Sequence, residues 1–298
     1  MKSIVLVTGA STGIGNLSAR ALAAAGHTVY ASMRDINVRN AARVRELRDW
    51  AFARGHDLRA VELDVLSQAS ADAAIKTIVE EQGRLDVVVH NAGHLVVGPT
   101  EAFSPEEMMT SYDTNVLGAH RVNKAALPVL RKQEAGMLLW VSSTTVRGGF
   151  PPFLGPYAAA KAAMDSIAVT MSYELARFGV ETSIVVPGAF TKGTQHFPNA
   201  GKPSNLETVA AYARYDGLMD QVGAKLSALM PENADPLAVG EAVARIVSMP
   251  AGTRPFRTIV DFLDDGATAV TDVAEQVREE FAHRIGIDDL LRPSKKAD

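Results

Sequence analysis

Tyr157 and Lys161 stand four residues apart in the run Tyr157-Ala158-Ala159-Ala160-Lys161. On a helix this spacing puts both side chains on one face, about 6 Å apart along the axis. A phenol keeps its proton until pH ~10 and is a poor acid–base catalyst at neutrality. An ammonium one turn away stabilises the phenolate and draws that value toward the working range. A fall of about 3 units needs about 4 kcal/mol of differential interaction. One lysine at close range in a water-poor cleft, helped by a second cation, can supply that. Tyrosine and lysine also meet at this spacing by chance, so the pair gains meaning only from its company.

The company begins at the N-terminus. Ile4-Val5-Leu6-Val7 is a short β-branched apolar run, which reads as a buried parallel strand. It leads into Thr8-Gly9-Ala10-Ser11-Thr12-Gly13-Ile14-Gly15 and then a helical segment over 16–25. Strand, glycine turn and helix together aim backbone N–H groups and a helix N-terminus at a diphosphate. A tight turn without a ligand is the plainer reading, but three glycines at these spacings suit a close backbone approach better.

The spacing Thr8-Gly9-x-x-x-Gly13-x-Gly15, together with Tyr157-x-x-x-Lys161, resembles the short-chain dehydrogenase/reductase family. Asn91-Ala92-Gly93 after the strand run Leu85-Asp86-Val87-Val88-Val89, Asn115 in a long helical stretch, and Ser143 fourteen residues before Tyr157 strengthen the likeness. These ordered motifs cover the first 190 residues or so; the last hundred match loosely. The resemblance implies a Rossmann fold and a hydride-transferring oxidoreductase with Asn115, Ser143, Tyr157 and Lys161 as its catalytic set. Tyr157 is then the general acid–base. Ser143 holds the substrate oxygen, and Lys161 lowers the tyrosine pKa and grips the nicotinamide ribose. Asn115 holds a water for proton relay. Taken alone, Ser143 also reads as a strand-end hydroxyl bonding backbone, and Asn115 as an amide satisfying buried backbone within a helix.

The implied cofactor contacts are Gly9, Ser11, Thr12, Gly13, Ile14, Gly15, Asp64, Val65, Asn91, Ala92, Gly93, Tyr157, Lys161, Pro187, Gly188 and Thr191. Asp64 has a plainer reading as a cap of the next turn. The residue five after Pro187, often threonine in the family, is Lys192 here, flanked by Thr191 and Thr194. NAD binding calls for a carboxylate at the end of the second strand, NADP binding for a cation. That position falls on Met33 and the next residue is Arg34, so NADP(H) is expected over NAD(H). Asp35 beside it, and Thr12 where a second basic residue is common, keep NAD(H) open.

The elements needed to carry these residues alternate along the chain. Strands are expected at 28–32, 58–65, 85–90, 137–142, 180–186 and 256–262. Helices are expected at 38–53, 67–82 (capped by Ser67), 105–133, 155–178, 236–248 and 268–285. Such alternation specifies an α/β fold: a doubly wound parallel sheet in three αβα layers. No linker divides the chain, so a single domain over 1–298 is expected. Residues 187–231 form a helical substrate-lid insertion, 268–298 a C-terminal helix and tail, and 292–298 fray.

Bulk properties narrow the function. The 298 residues carry a formal net charge of −4, against nucleic acid as main partner, and no cysteine, against disulfides and thiolate chemistry. No run is long enough to span a bilayer, and the N-terminal apolar run is too short for a signal peptide. A cytoplasmic enzyme with no membrane partner is expected. His90 and His94 flank a glycine loop without a third ligand, so no metal is expected. Arg39, Arg43, Arg45 and Arg48 read as a solvated helix face, and Asp264-Asp265 and Asp288-Asp289 as surface.

The candidate substrate lining, Leu95, Val96, residues 150–154, Phe190 and the insertion from Phe197 to Met219, is apolar and aromatic. It favours a hydrophobic carbonyl or secondary alcohol, unless these residues pack the lid against itself. Small residues around the helix after Gly155 suit a homodimer or homotetramer. A dinucleotide sensor on the same fold is the rival reading from another class, and an epimerase or dehydratase of the related extended family is the rival enzyme. The sensor has no need of Tyr157 and Lys161.

Overall fold

Short β-branched runs build the centre of the molecule, a computed structural model describing residues 2–215 and 217–293. The strands are β1 (Ile4–Val7), β2 (Thr28–Met33), β3 (Leu58–Glu62), β4 (Val87–His90), β5 (Gly136–Val141), β6 (Val180–Pro187) and β7 (Arg257–Val260). Among the described residues they form one sheet in the order β3-β2-β1-β4-β5-β6-β7, every pair parallel. β1 and β4 are buried along their whole length, as strands covered on both faces must be.

The helices are α1 (Gly13–Ala24), α2 (Ala41–Phe52), α3 (Gln68–Gln82), α4 (Pro105–Tyr112), α5 (Gly118–Gln133), α6 (Gly155–Ala176), α7 (Leu206–Ala211), α8 (Leu218–Leu229), α9 (Leu237–Ser248) and α10 (Ala267–Arg284). Strand alternation sends Leu6 and Val88 into one core with α3, α5 and α6, and Val5 and Val7 into another with α1, α2 and α9. The result is the expected doubly wound, three-layer αβα single domain. Chain order reverses between β1 and β4, so the loops after their C-terminal ends flank a crevice.

Departures from the expected elements lie at ends and turns. α2 starts three residues late because Asp35 takes a left-handed φ of 50° and 36–40 form a turn. The Glu62 carboxylate fixes that turn by accepting the N–H groups of Asp35 (2.8 Å) and Ile36 (2.9 Å). The helix expected over 105–133 is interrupted by a π turn at Asp113–Leu117 that carries Asn115. Ser67 caps α3 as expected, accepting from the Ser70 N–H. The insertion holds α7 and α8, and the tail expected to fray lies, from 294 on, outside the described residues.

A buried ion network ties the far end of the fold to α6. Asp165 accepts two bonds from the Arg257 guanidinium, at 2.6 and 2.9 Å, and one from Ser142 Oγ at 2.8 Å. Arg257 also reaches Glu275 of α10 (3.2 Å), which pairs with Arg278 (2.6 Å). Asp165 and the Arg257 side chain are both buried, and Arg147 stands farther off, at 3.6 Å. Losing Arg257 removes both close charge-assisted bonds and leaves the carboxylate a more distant cation. Arg257→Ala is therefore expected to lower unfolding free energy by about 2–3 kcal/mol in urea titration, short of the ~3–5 kcal/mol of a buried charge left with no partner. A loss below about 1 kcal/mol, the range of an exposed pair, would contradict the role given to this network.

Candidate active site

The glycine turn is bonded into the floor of the crevice. Thr8 Oγ1 donates to Val89 O (3.2 Å) and accepts from the N–H groups of Asn91 and Ala92, each at 3.0 Å. Asn91 Nδ2 donates back to Thr8 O (2.9 Å) and Gly9 O (3.2 Å), so the loops after β1 and β4 form one unit. Gly9 has φ +66°, and a Cβ there would lie 2.8 Å from Ala92 Cα. A side chain would thus force the two loops apart. Thr12, the N-cap of α1, makes no side-chain capping bond, which leaves the first N–H groups of the helix to the cleft.

The cleft has a volume of about 780 Å³. Its walls bring together Gly9, Ser11, Thr12, Gly13, Ile14, Gly15, Arg34, Asp64, Val65, Asn91, Ala92, Gly93, Ser143, Tyr157, Lys161, Pro187 and Gly188. Asp64 also follows its plainer reading, since its Oδ1 accepts the Leu66 N–H at 3.1 Å. Thr191 does not join them. The chain turns after Phe190, where Thr194 Oγ1 donates to Phe190 O (3.0 Å), and this carries Thr191 and Lys192 toward 230–234. Thr194 lines the cleft instead.

Tyr157, Lys161 and Asn115 are buried, and Ser143 nearly so. Lys161 Nζ donates to Val141 O (2.9 Å) and stands 6.0 Å from the centre of the Tyr157 ring. Ser143 Oγ accepts from Thr145 Oγ1 (2.9 Å) and Thr145 N (3.3 Å), so its own proton is available to another acceptor. The Asn115 amide follows the structural reading: Oδ1 accepts the His94 N–H (3.1 Å), and Nδ2 donates to His94 O (3.0 Å) and Ser111 O (2.9 Å). Gly93 lies against Asn115 and Lys161, and a Cβ there would be 2.7 Å from Asn115 Oδ1.

The electrostatics differ from the simple expectation that Lys161 acidifies Tyr157. Burial pushes the Tyr157 phenol up to about 12, with a hydrogen bond from Ser143 offsetting part of the rise. The same burial pushes Lys161 down to about 8, opposed by the Asp165 carboxylate. Desolvation penalises both charged forms and is the largest cause of each shift. By itself the pair keeps both protons at neutral pH and supplies no phenolate base.

Several wall residues escaped the sequence reading. His196 Nε2 lies 3.4 Å from Tyr157 Oη. Arg39, expected on a solvated face, lines the cleft because it belongs to the turn before α2. Asp265, expected at the surface, also lines the cleft. Its Oδ1 accepts the Ala267 N–H (3.1 Å), and its carbonyl accepts the Gly149 N–H (2.9 Å). The expected substrate lining divides. Leu95, Pro151, Leu154, Phe190 and Phe197 face the cleft, whereas Phe150 is exposed and Val96 pairs with Gly201. Phe153 packs on Tyr212 and Tyr215 of the lid itself.

The profile of the family described as short chain dehydrogenase matches residues 3–203. The chain is 30% identical over 260 residues to the 3-ketodihydrosphingosine reductase of Bacteroides thetaiotaomicron, covering 86% of this chain and 87% of that protein. It is 31% identical over 246 residues to the oxidoreductase UcpA of Salmonella typhimurium, covering 82% and 86%. A solved short-chain dehydrogenase from Streptomyces avermitilis superposes with a TM-score of 0.69 at 26% identity, covering 96% of this chain and 98% of that one.

The depressed Lys161 value has a consequence for stability. Between pH 8 and 10.5 the unfolded chain binds more protons at this lysine than the folded one, so stability from this site rises with pH across that window. Tyr157, raised to about 12, acts in the opposite sense only above pH 10. Relative to Lys161→Met, the wild type is expected to gain about 2 kcal/mol between pH ~8 and ~10 in chemical unfolding. A flat difference would contradict a dry environment for the amine.

Proposed function

From the premise that this chain belongs to the short-chain dehydrogenase/reductase family and is an oxidoreductase of that kind, we propose that it interconverts a ketone or aldehyde and an alcohol with NADP(H). The observation that carries the reading is the convergence of Ser143, Tyr157, Lys161 and the glycine turn on one cleft. The residues present fit a dinucleotide: a Cβ at Gly9 would fill the cradle between the two loops, and the N-terminus of α1 faces the place of a diphosphate. Gly9 to Gly15 would hold the diphosphate, Asp64 and Val65 the adenine, Asn91 to Gly93 and Lys161 the ribose side, and Pro187 and Gly188 the nicotinamide. When bound, the dinucleotide supplies the hydride.

The chain's own residues handle the proton. In reduction Tyr157 Oη gives its proton to the substrate oxygen; in oxidation it takes one back. Ser143, whose Oγ already accepts two bonds from Thr145, donates to the same oxygen and fixes it. Lys161 keeps two of its three N–H donors after bonding Val141 O, for the ribose side of the site. Asn115 sets the π turn and the course of the 93–94 loop, beside which the relay to Lys161 would run.

NADP(H) is favoured over NAD(H) because Arg34 and Arg39 both line the cleft and Asp35 is not among its lining residues. Guanidinium groups suit a phosphate through paired, charge-assisted bonds. Apolar walls at Leu95, Leu154, Phe190 and Phe197 suit a hydrophobic substrate, in keeping with a relative named for 3-ketodihydrosphingosine. Among the described residues no helix is long and apolar enough to cross a membrane. Ala159, Ala162, Ser166 and Thr170 form an exposed face of small side chains on α6, on which we place a homodimer or homotetramer contact.

Three measurements test this reading. Tyr157→Phe is expected to keep cofactor affinity and lose at least about 10³ in turnover on a ketone and alcohol panel; substantial residual activity would overturn the assignment. Arg34→Ala is expected to weaken NADPH by about tenfold or more and NADH by far less; equal effects would make Arg34 a surface residue. Light scattering at micromolar concentration is expected to give the mass of two or four chains, and a monomer would contradict the α6 contact.

A further inference from the structure

The lid brings to the reacting hydroxyl a side chain that the proton transfer above does not use. His196 Nε2 lies 3.4 Å from Tyr157 Oη, with the rings 5.5 Å apart at 70°. The position is fixed from both sides along the chain. Phe197 packs into the apolar cluster of Leu95, Phe103, Leu154 and Tyr157. The Asn199 N–H bonds to Gln195 O and the Ala200 N–H to Phe197 O, closing the turn. Gly201 then exchanges bonds with the 95–97 segment, at 2.9 Å to Leu95 O and 2.8 Å from Val97 N. His196 is thus held by its neighbours, and its contact with Tyr157 is a consequence.

Burial, followed by the charges of Lys161 and His94, pushes the imidazole down to about 4. At neutral pH it is uncharged, with one ring nitrogen a donor and the other an acceptor. Leu95, Leu154, Phe190, Phe197, Leu226 and Leu263 give the cleft wall near the lid its apolar part, while Thr194, Gln195 and Asn199 line it from the lid as well. A hydrocarbon next to the reacting carbonyl would leave Nε2 only its long 3.4 Å contact with Tyr157 Oη, the atom that also serves the reacting oxygen. A poorly bonded buried nitrogen costs free energy. A substrate oxygen bonded to Tyr157 Oη lies about 2.7 Å from it, and a second oxygen on the adjoining carbon can then come within hydrogen-bond reach of Nε2.

We propose that His196 is a specificity-determining residue of this oxidoreductase: its Nε2 hydrogen-bonds a hydroxyl on the carbon next to the reacting one, so that the preferred substrates are α-hydroxy ketones on an apolar body. The inference rests on the ketone/alcohol reading above. In reduction, hydride from the nicotinamide forms the new C–H bond, the carbonyl π pair moves to oxygen, and Tyr157 supplies the proton, giving a vicinal diol and oxidised dinucleotide. His196 neither gains nor loses a proton in that step. It reads the neighbouring hydroxyl.

The test uses the full-length protein with NADPH, straight-chain methyl ketones of several lengths and their α-hydroxy analogues, in the wild type, His196→Leu and His196→Gln. The wild type is expected to favour the hydroxy ketone by at least about tenfold in kcat/KM. His196→Leu should bring that ratio close to one, chiefly by raising KM for the hydroxy ketone, and His196→Gln, which keeps a donor and an acceptor, should restore part of it. A wild-type ratio near one, or a His196→Leu variant that slows both ketones by the same factor, overturns the proposal and leaves the oxidoreductase reading standing. If His196→Leu fails to fold by thermal melting, the ratio in His196→Gln decides, an unchanged plain-ketone rate with a reduced hydroxy-ketone preference being the supporting result and a parallel loss the opposing one. Absence of turnover of either ketone by the wild type sinks both readings.

Discussion

Two groups with opposite preferences for charge share one dry corner beside the crevice. A phenol wants water to ionise, an amine wants water to stay protonated, and burial denies it to both. Tyr157 is held near 12 and Lys161 near 8. The corner therefore holds its protons at neutral pH and offers no ready phenolate, and in the proposed reaction its chemistry as a base depends on what enters the cleft. In that reading a nicotinamide dinucleotide would be held partly by Lys161, and its charge and hydroxyls would ease ionisation there.

The surrounding structure makes that corner tolerable. Asp165, one turn beyond Lys161, opposes the loss of the lysine's charge, and Arg257 at close range with Arg147 farther off balances Asp165 in the core. The strand ending at Val141 places Ser142 toward Asp165 and Ser143 toward the cleft, an arrangement that follows from strand alternation. Asn115 occupies a π turn, where its amide satisfies both backbone groups of His94 and the carbonyl of Ser111. Gly93 is small because Asn115 and Lys161 crowd it. Support for the site thus runs from β5 through α6 to α10, well beyond the motif residues.

Features set by local chemistry were legible in the sequence. β-branched runs located the strands, Ser67 its helix start, and the Gly9, Gly13 and Gly15 spacing a turn that only small residues permit. Tyr157 and Lys161 were legible because four residues is nearly one helical turn. Features set by long-range packing were not. Arg39 looked like a solvated helical arginine until the left-handed Asp35 delayed α2. Asp265 and His196 reach the cleft on irregular segments with no periodicity to read, and Thr191 was misplaced because a turn after Phe190 redirects the chain. The expectation for the tyrosine pKa counted the lysine and undercounted burial, a quantity that spacing does not contain.

The most direct test of this account is the titration of Tyr157 itself. One of six tyrosines in the chain, it can be followed by NMR of ring-labelled protein and assigned by difference against Tyr157→Phe. Without nucleotide its phenol should stay protonated beyond the ordinary pH ~10, and oxidised dinucleotide should shift its titration to lower pH by more than one unit, with the shift abolished in Lys161→Met. A phenol already ionising near neutrality in the nucleotide-free protein, or one whose titration ignores the nucleotide, would contradict it.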